Sequence, residues 1–266
     1  MKKLTFTRKQ LGIPYAVFLV CFVIAPLVVI VYYAFTNGQG QISFKNFVNF
    51  FTSTNTLGTL LYSFALAIVT SLVCLVIAYP TAYILARSGF KRKYVLLLLF
   101  ILPMWINFTL RITALKEILS VLEGNISAYP FLNSVIGMTY DFLPFMILPL
   151  YTSLLKLDKS LLEAASDLGA NKATVFFRVT LPLSVPGIIS GMTMVLLPSM
   201  TNYVVLDMLY NSTYIMGSLI GSYFSAYDWH GGSMISLVLL VIILIVTLIT
   251  NRFSDKDTAG NRGSVL

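Results

Sequence analysis

The stretch SLLEAASDLGANKATVFFRVTLPL, Ser160–Leu183, is polar, alanine-rich and punctuated like a pair of short helices. It lies between two runs of sequence too apolar for a soluble domain. Ser160 followed by Glu163 has the spacing of a capping box, in which the hydroxyl accepts the Glu163 amide while the carboxylate reaches back. Such a cap is worth about 1 kcal/mol. Gly169 then suits a left-handed helix stop. Asn171 suits the N-cap of a second helix, expected to end before Leu181-Pro182 because the residue ahead of a proline disfavours helix. Spacing alone leaves two uses open. The stretch is either a solvated amphipathic linker or a knob offered to another protein, with Ala164 and Ala165 exposing little bulk.

The flanking sequence decides the class. Of 266 residues, 58% are hydrophobic and only 11% charged, and the mean hydropathy is +0.86. That composition excludes an ordinary soluble domain and implies an all-α integral membrane protein. A helix needs about 20 apolar residues to cross a hydrocarbon core of roughly 30 Å. Six runs qualify, approximately Ile13–Phe35, Leu60–Ala86, Tyr94–Leu110, Leu132–Leu155, Pro186–Leu206 and Ser233–Ile249. Their lengths and proline positions fit helices, whereas a transmembrane barrel would show short alternating segments. Lys2, Lys3, Arg8 and Lys9 precede the first run in the manner of a signal peptide. The chain then stays uncharged from Gln10 to Phe44 without a small-residue cleavage pattern, so an uncleaved first helix is expected.

The net charge of +8 reports topology. With the N-terminus inside, segments 1–12, 87–93, 156–185 and 250–266 hold 15 Lys and Arg, against Lys45, Arg111 and Lys116 outside. Retention of basic residues in the cytoplasm therefore puts both termini there. Nucleic acid is not indicated as a partner; membrane lipid is. The expected organisation is 1–58 (N-terminal segment, first span and external loop), 59–249 (the transmembrane domain, with a cytoplasmic loop at 156–185) and 250–266 (a cytoplasmic tail). Arg111–Phe131 is expected as an external loop, and so is Asp207–Gly232. Cys21, Cys74 and the single His230 offer no metal set, and no intramembrane nucleophile–base pair is visible.

Glu163-Ala164-Ala165, then Gly169 six positions after the Glu, then Val179, Leu181 and Pro182, resembles the EAA signature of bacterial ABC importer permeases; Val179 stands where Ile is usual. The resemblance implies a type I ABC importer permease fold with six transmembrane helices, in a bacterial inner membrane. It also implies that Glu163, Ala164, Ala165, Gly169, Leu181 and Pro182 form a coupling loop for a cytoplasmic ATPase. The chain has no G-x-x-x-x-G-K-[ST] loop and no Gly-Lys pair, so ATP-Mg would be bound by separate ATPase subunits. The chain itself would carry no cofactor and would not be an enzyme.

Tyr79–Arg87, Leu102–Arg111, Leu143–Tyr151, Lys156–Leu162 and Leu196–Met200, with Asp207 and Asp228-Trp229, are similar to the B-type permeases of spermidine/putrescine importers over roughly Leu60–Ile249. Leu209-Tyr210-Asn211-Ser212 departs from that subfamily's usual Gly-Gly. The similarity implies a related second permease, two ATPase subunits and an external polyamine-binding protein. A flexible polycation is held by carboxylates at its ammoniums and by aromatic faces along its methylenes. Trp105, Asn107, Tyr203, Asp207, Tyr223 and Asp228 are the candidate path residues on that chemistry. Interfacial aromatics and capping carboxylates are equally ordinary in membrane proteins. A permease for another small solute is the alternative, and a secondary transporter, with its repeats and intramembrane charges, a more distant one. Asp141 is the ionisable residue inside the runs, expected to pair with Arg111 or lie exposed.

Overall fold

The structure, a computed structural model, describes residues 8–89, 91–210 and 215–260. The basic residues before Arg8, the Asn211-Ser212 departure and the last six residues lie outside the described residues. Helices dominate, and the sole bridge among the described residues joins Thr36 to Ile42. In order they are α1 (Arg8–Leu19), a π turn (Val20–Ile24), α2 (Ala25–Ala34), α3 (Lys45–Thr52), α4 (Thr54–Arg87), α5 (Lys93–Ile101) and α6 (Phe108–Glu123). There follow α7 (Pro130–Lys156), α8 (Lys159–Asp167), α9 (Lys172–Val175), α10 (Leu181–Leu183), α11 (Val185–Thr201), α12 (Tyr203–Tyr210), α13 (Met216–Ser225) and α14 (Trp229–Gly260).

Among the described residues, four helical stretches are long and apolar enough to cross a membrane: Gly12–Ala34, Thr54–Arg87, Pro130–Lys156 and Trp229–Thr250. Two bent pairs, Lys93–Trp105 with Phe108–Glu123 and Lys172–Leu183 with Val185–Thr201, raise the count to as many as six. The first pair corrects the expected single helix over Tyr94–Leu110. The chain bends by 97° after Trp105, because a 3₁₀ turn (Leu102–Trp105) gives way to extended Ile106 and Asn107 starts a new helix. The expected external loop from Arg111 is therefore helical as far as Glu123, and Arg111 is buried. The fifth run is also shorter than expected: α11 stops at Thr201 and Tyr203 opens α12.

The residues group into two compact units. The larger, Gly58–Ser218 with Ile243–Leu266, contains the main core, in which Leu66, Met138, Met146, Leu150, Leu154 and Leu206 are fully buried. In it α7 and α11 pack closely. Gly187 and Gly191 stand four apart on α11, and a side chain on either would run into Ser153 or Met146 of α7. Small residues at that spacing let membrane helices approach closely, where dispersion rather than water expulsion binds them. The smaller unit, Met1–Leu57 with Leu219–Ile242, carries an aromatic group of Phe35, Phe44 and Phe47. In it His230 lies edge-on to Tyr33 at 5.2 Å, with Nδ1 3.1 Å from the Tyr33 carbonyl oxygen. That contact accounts for the lone histidine as a packing residue.

Candidate functional site

The Asp158–Ser184 loop holds its own shape. After α7 the chain turns extended at Leu157, whose carbonyl accepts from Arg87 Nη2 at 3.4 Å. The N-cap of α8 is Asp158, which corrects the expected capping box at Ser160. Its carboxylate accepts the Ser160 amide at 3.0 Å. Hydrogen bonds from the Ser160 amide and then its hydroxyl hold the Asp158 carboxyl below the usual range. A carboxylate here also meets the positive end of the helix dipole, which a hydroxyl does not exploit. Glu163 consequently falls beyond the first turn. Its exposed carboxylate makes no hydrogen bond among the described residues.

Gly169 ends α8 as expected, with φ at 85°. The Ala170 amide donates to the Ala165 carbonyl at 3.2 Å and the Gly169 amide to Ser166 at 2.9 Å. Those are the two bonds of a Schellman stop. Asn171 caps α9, its side-chain oxygen accepting from the Thr174 amide at 2.8 Å and hydroxyl at 2.9 Å. The second helix does not stop before Leu181-Pro182. Thr180 and Leu181 keep helical angles, and a π turn (Phe176–Thr180) leads into α10. Proline crowds the carbonyl four residues back, and the wider π turn gives it room.

Two faces of this loop differ. Outward, Leu161, Leu168 and Phe177 are 50%, 89% and 64% exposed, and Glu163 and Ala164 are exposed with them. Ala165 and Leu181 are half-buried, and Pro182 is exposed. Inward, Phe176 sits edge-on to both Tyr79 (5.8 Å) and Tyr83 (5.3 Å) of α4, and the Tyr79 hydroxyl lies 2.8 Å from Ser184 Oγ. Sequence reasoning missed this anchor. Its signal was Tyr79 and Tyr83, four apart on one helical face at the end of an apolar run.

The path candidates fall into three groups. Trp105 is 87% exposed at the bend, and Asn107 caps α6 by accepting the Thr109 amide at 2.9 Å. Neither lies inside a helix as expected, because the bend falls between them. One turn later Arg111 Nη2 meets Asp141 Oδ1 at 2.5 Å, with both side chains buried and the guanidinium 5.8 Å from the centre of the Tyr140 ring. On α12, Tyr203 and Asp207 share the exposed face, one turn apart, opposite buried Val205, Leu206 and Leu209. In the smaller unit, Tyr223 and Asp228 line one cavity, and Asp228 Oδ1 caps α14 by accepting the Gly231 amide at 2.8 Å. No group of three or more His, Cys, Asp or Glu able to hold a metal occurs among the described residues.

Residues 78–256 match the family of binding-protein-dependent transport system inner membrane components. The chain is 38% identical over 212 residues to the spermidine/putrescine transport system permease protein PotB of Escherichia coli (strain K12), covering 73% of this chain and 77% of that protein. It is 35% identical over 256 residues to PotB of Haemophilus influenzae, covering 88% and 89%. Among solved structures, a chain of a bacterial alginate ABC transporter, crystallised with its alginate pentasaccharide-bound periplasmic protein, superimposes with a TM-score of 0.73 at 16% identity, covering 93% of each chain. A chain of the MetNI methionine ABC transporter, in an inward-facing conformation, gives 0.60 at 16% identity, covering 77% of this chain and 99% of that one. At such identities the likeness concerns the fold alone, which is shared with chains of these ABC transporters.

Proposed function

Because the chain belongs to the family of binding-protein-dependent transport system inner membrane components, we propose that it is a permease subunit of an ATP-driven polyamine importer, driven through the Asp158–Ser184 loop. The observation that carries the drive is the loop's construction: it is closed by its own caps, yet leaves Glu163 without a hydrogen-bond partner among the described residues and three apolar side chains exposed. Such a surface fits a cleft on a separate ATPase that binds ATP-Mg, with Glu163, Ala164, Ala165, Gly169, Leu181 and Pro182 at the contact. The Phe176–Tyr79–Tyr83 contact would pass the ATPase's closure to α4. Identity to the PotB permeases along most of the chain supports spermidine or putrescine as the cargo.

Each bent pair counts as one span in this reading, which gives six, and the 15-to-3 distribution of Lys and Arg puts both termini and the loop in the cytoplasm of a bacterial cell. A second, related permease completes the path, two ATPase subunits power it, and an external polyamine-binding protein loads it. Trp105, Asn107, Tyr203, Asp207, Tyr223 and Asp228 supply the ring faces, amide and carboxylates along the outer part of the route. The reading is tested by radiolabelled spermidine uptake in cells lacking this chain, with and without its restoration, competed by putrescine and by unlabelled anions. Restored uptake that putrescine blocks is expected. Loss of an anion's uptake with polyamine uptake untouched would remove the substrate assignment.

A further inference from the structure

The smaller unit contains a cavity of about 290 Å³ that mixes one carboxylate with amides, hydroxyls and a phenol. The sequence builds one wall from α3 and the start of α4. Asn46 and Asn49 stand about one turn apart on α3, Ser53 is the extended residue that ends it, and Thr56 lies in the first turn of α4; all four line the cavity. Opposite them stand Tyr223 of α13 and Asp228 at the head of α14. Phe50, Met234 and Ile235, each at most 3% exposed, form an apolar floor.

Two features of this cavity suit a cation. Asp228 spends Oδ1 on the Gly231 amide, but Oδ2 accepts no hydrogen bond among the described residues, and no described Lys or Arg pairs with it. The Asn49 carboxamide and the Tyr223 hydroxyl likewise make no hydrogen bond there. Gly231 is what lets these groups converge, since a Cβ on it would meet Asp228 Oδ2 at 2.6 Å and the Tyr223 ring at 2.6 Å. A carboxylate without a counter-cation repels anions and attracts an ammonium, to which carboxylate, amide and phenol oxygens can all accept. The volume sits at the lower bound of ligand pockets, about 300–1,000 Å³, which suits one end of a slender chain.

We infer that this cavity seats the terminal ammonium of a polyamine, with its first methylenes over Phe50 and Met234, as a capture site in the smaller unit; the inference rests on the polyamine reading above. Asp228 holds the charge, while Asn49 and Tyr223 set its direction.

The test measures equilibrium binding of radiolabelled spermidine to the assembled transporter in lipid nanodiscs, without the external binding protein, alongside ATP-driven uptake with it. Asp228→Asn keeps a side-chain oxygen to cap α14, asparagine being as good an N-cap as aspartate, and replaces the charged acceptor Oδ2 by an amide NH2 that cannot accept from an ammonium. Binding in the nanodiscs is expected to weaken about tenfold or more, as loss of a charged hydrogen bond entails. Asn49→Leu, which fills the cavity from an exposed helical position, should weaken it comparably. Putrescine should compete, and the neutral isostere 1,4-butanediol should not. Wild-type binding in both variants, or equal competition by the diol, overturns the capture site while wild-type uptake leaves the polyamine reading standing. Absence of spermidine uptake by the wild-type transporter overturns that reading itself.

Discussion

Asp141 and Glu163 lie in the same unit and are treated in opposite ways. Asp141, on a helix long and apolar enough to cross a membrane, is buried against Arg111. Glu163, on a loop helix, is exposed and has no partner among the described residues. The chain neutralises its own charge where neither water nor another protein could do so, because an unpaired charge in that setting is costly. On the loop the charge stays exposed, where water solvates it and the proposed ATPase would meet it. Around Glu163 the backbone is closed by Asp158, Gly169 and Asn171, so the open groups are side chains on a stiff frame. A solvated linker would have little reason to keep Leu168 and Phe177 in water.

The largest effect is expected from breaking the frame or its open charge. Gly169→Pro fixes φ near −65° where the stop needs a positive value. Together with Glu163→Ala it should abolish uptake with normal amounts of protein in the membrane. Normal uptake in both variants would return the loop to a linker. Next comes the buried pair. Asp141→Asn should cost about 3–5 kcal/mol by stranding Arg111, seen as a lower thermal transition or poor membrane yield. The apolar double variant Arg111→Met with Asp141→Leu should recover most of it. If the double variant folds no better than the single, the pair is more than charge neutralisation.

Phe176→Ala tests the link between loop and α4. Each aromatic pair contributes about 0.5–1.5 kcal/mol, so transport coupling should fall roughly tenfold while the assembled complex still hydrolyses ATP. Equal loss of hydrolysis and uptake would instead mean that Phe176 only holds the loop's shape. The smallest effect is at Asp158. Its carboxyl is depressed by hydrogen bonds to the folded helix, so the cap stabilises α8 above the ordinary carboxylate range and is lost as pH falls through the lowered folded value. Asp158→Ala should therefore speed amide exchange at Ser160 at neutral pH by up to about tenfold, as loss of an N-cap entails. In strong acid the variant and the parent should converge.

Much of the fold was legible because hydrophobic length is a blunt signal. The runs that became α4, α7 and α14 need only enough apolar residues to be recognised. The breaks were not legible, since Ile106 and Asn202 sit in sequence apolar enough to continue a helix, and the bends depend on a 3₁₀ turn and on new caps. In the loop, Gly169 and Asn171 announced themselves because each does its work within its own few residues. Asp158 competed locally with Ser160, and the carboxylate won. The anchor between Phe176 and Tyr79 could not be read at all from spacing alone, because its partners are nearly a hundred residues apart.

In the proposed function, an ATPase docked on the Glu163 face would drive polyamine import through this chain. The direct measurement is ATP-dependent spermidine accumulation in proteoliposomes of the complete transporter, comparing the parent with Gly169→Pro at matched protein content. The parent should concentrate spermidine inside and the variant should not. Accumulation by the variant at the parent's rate would contradict the account.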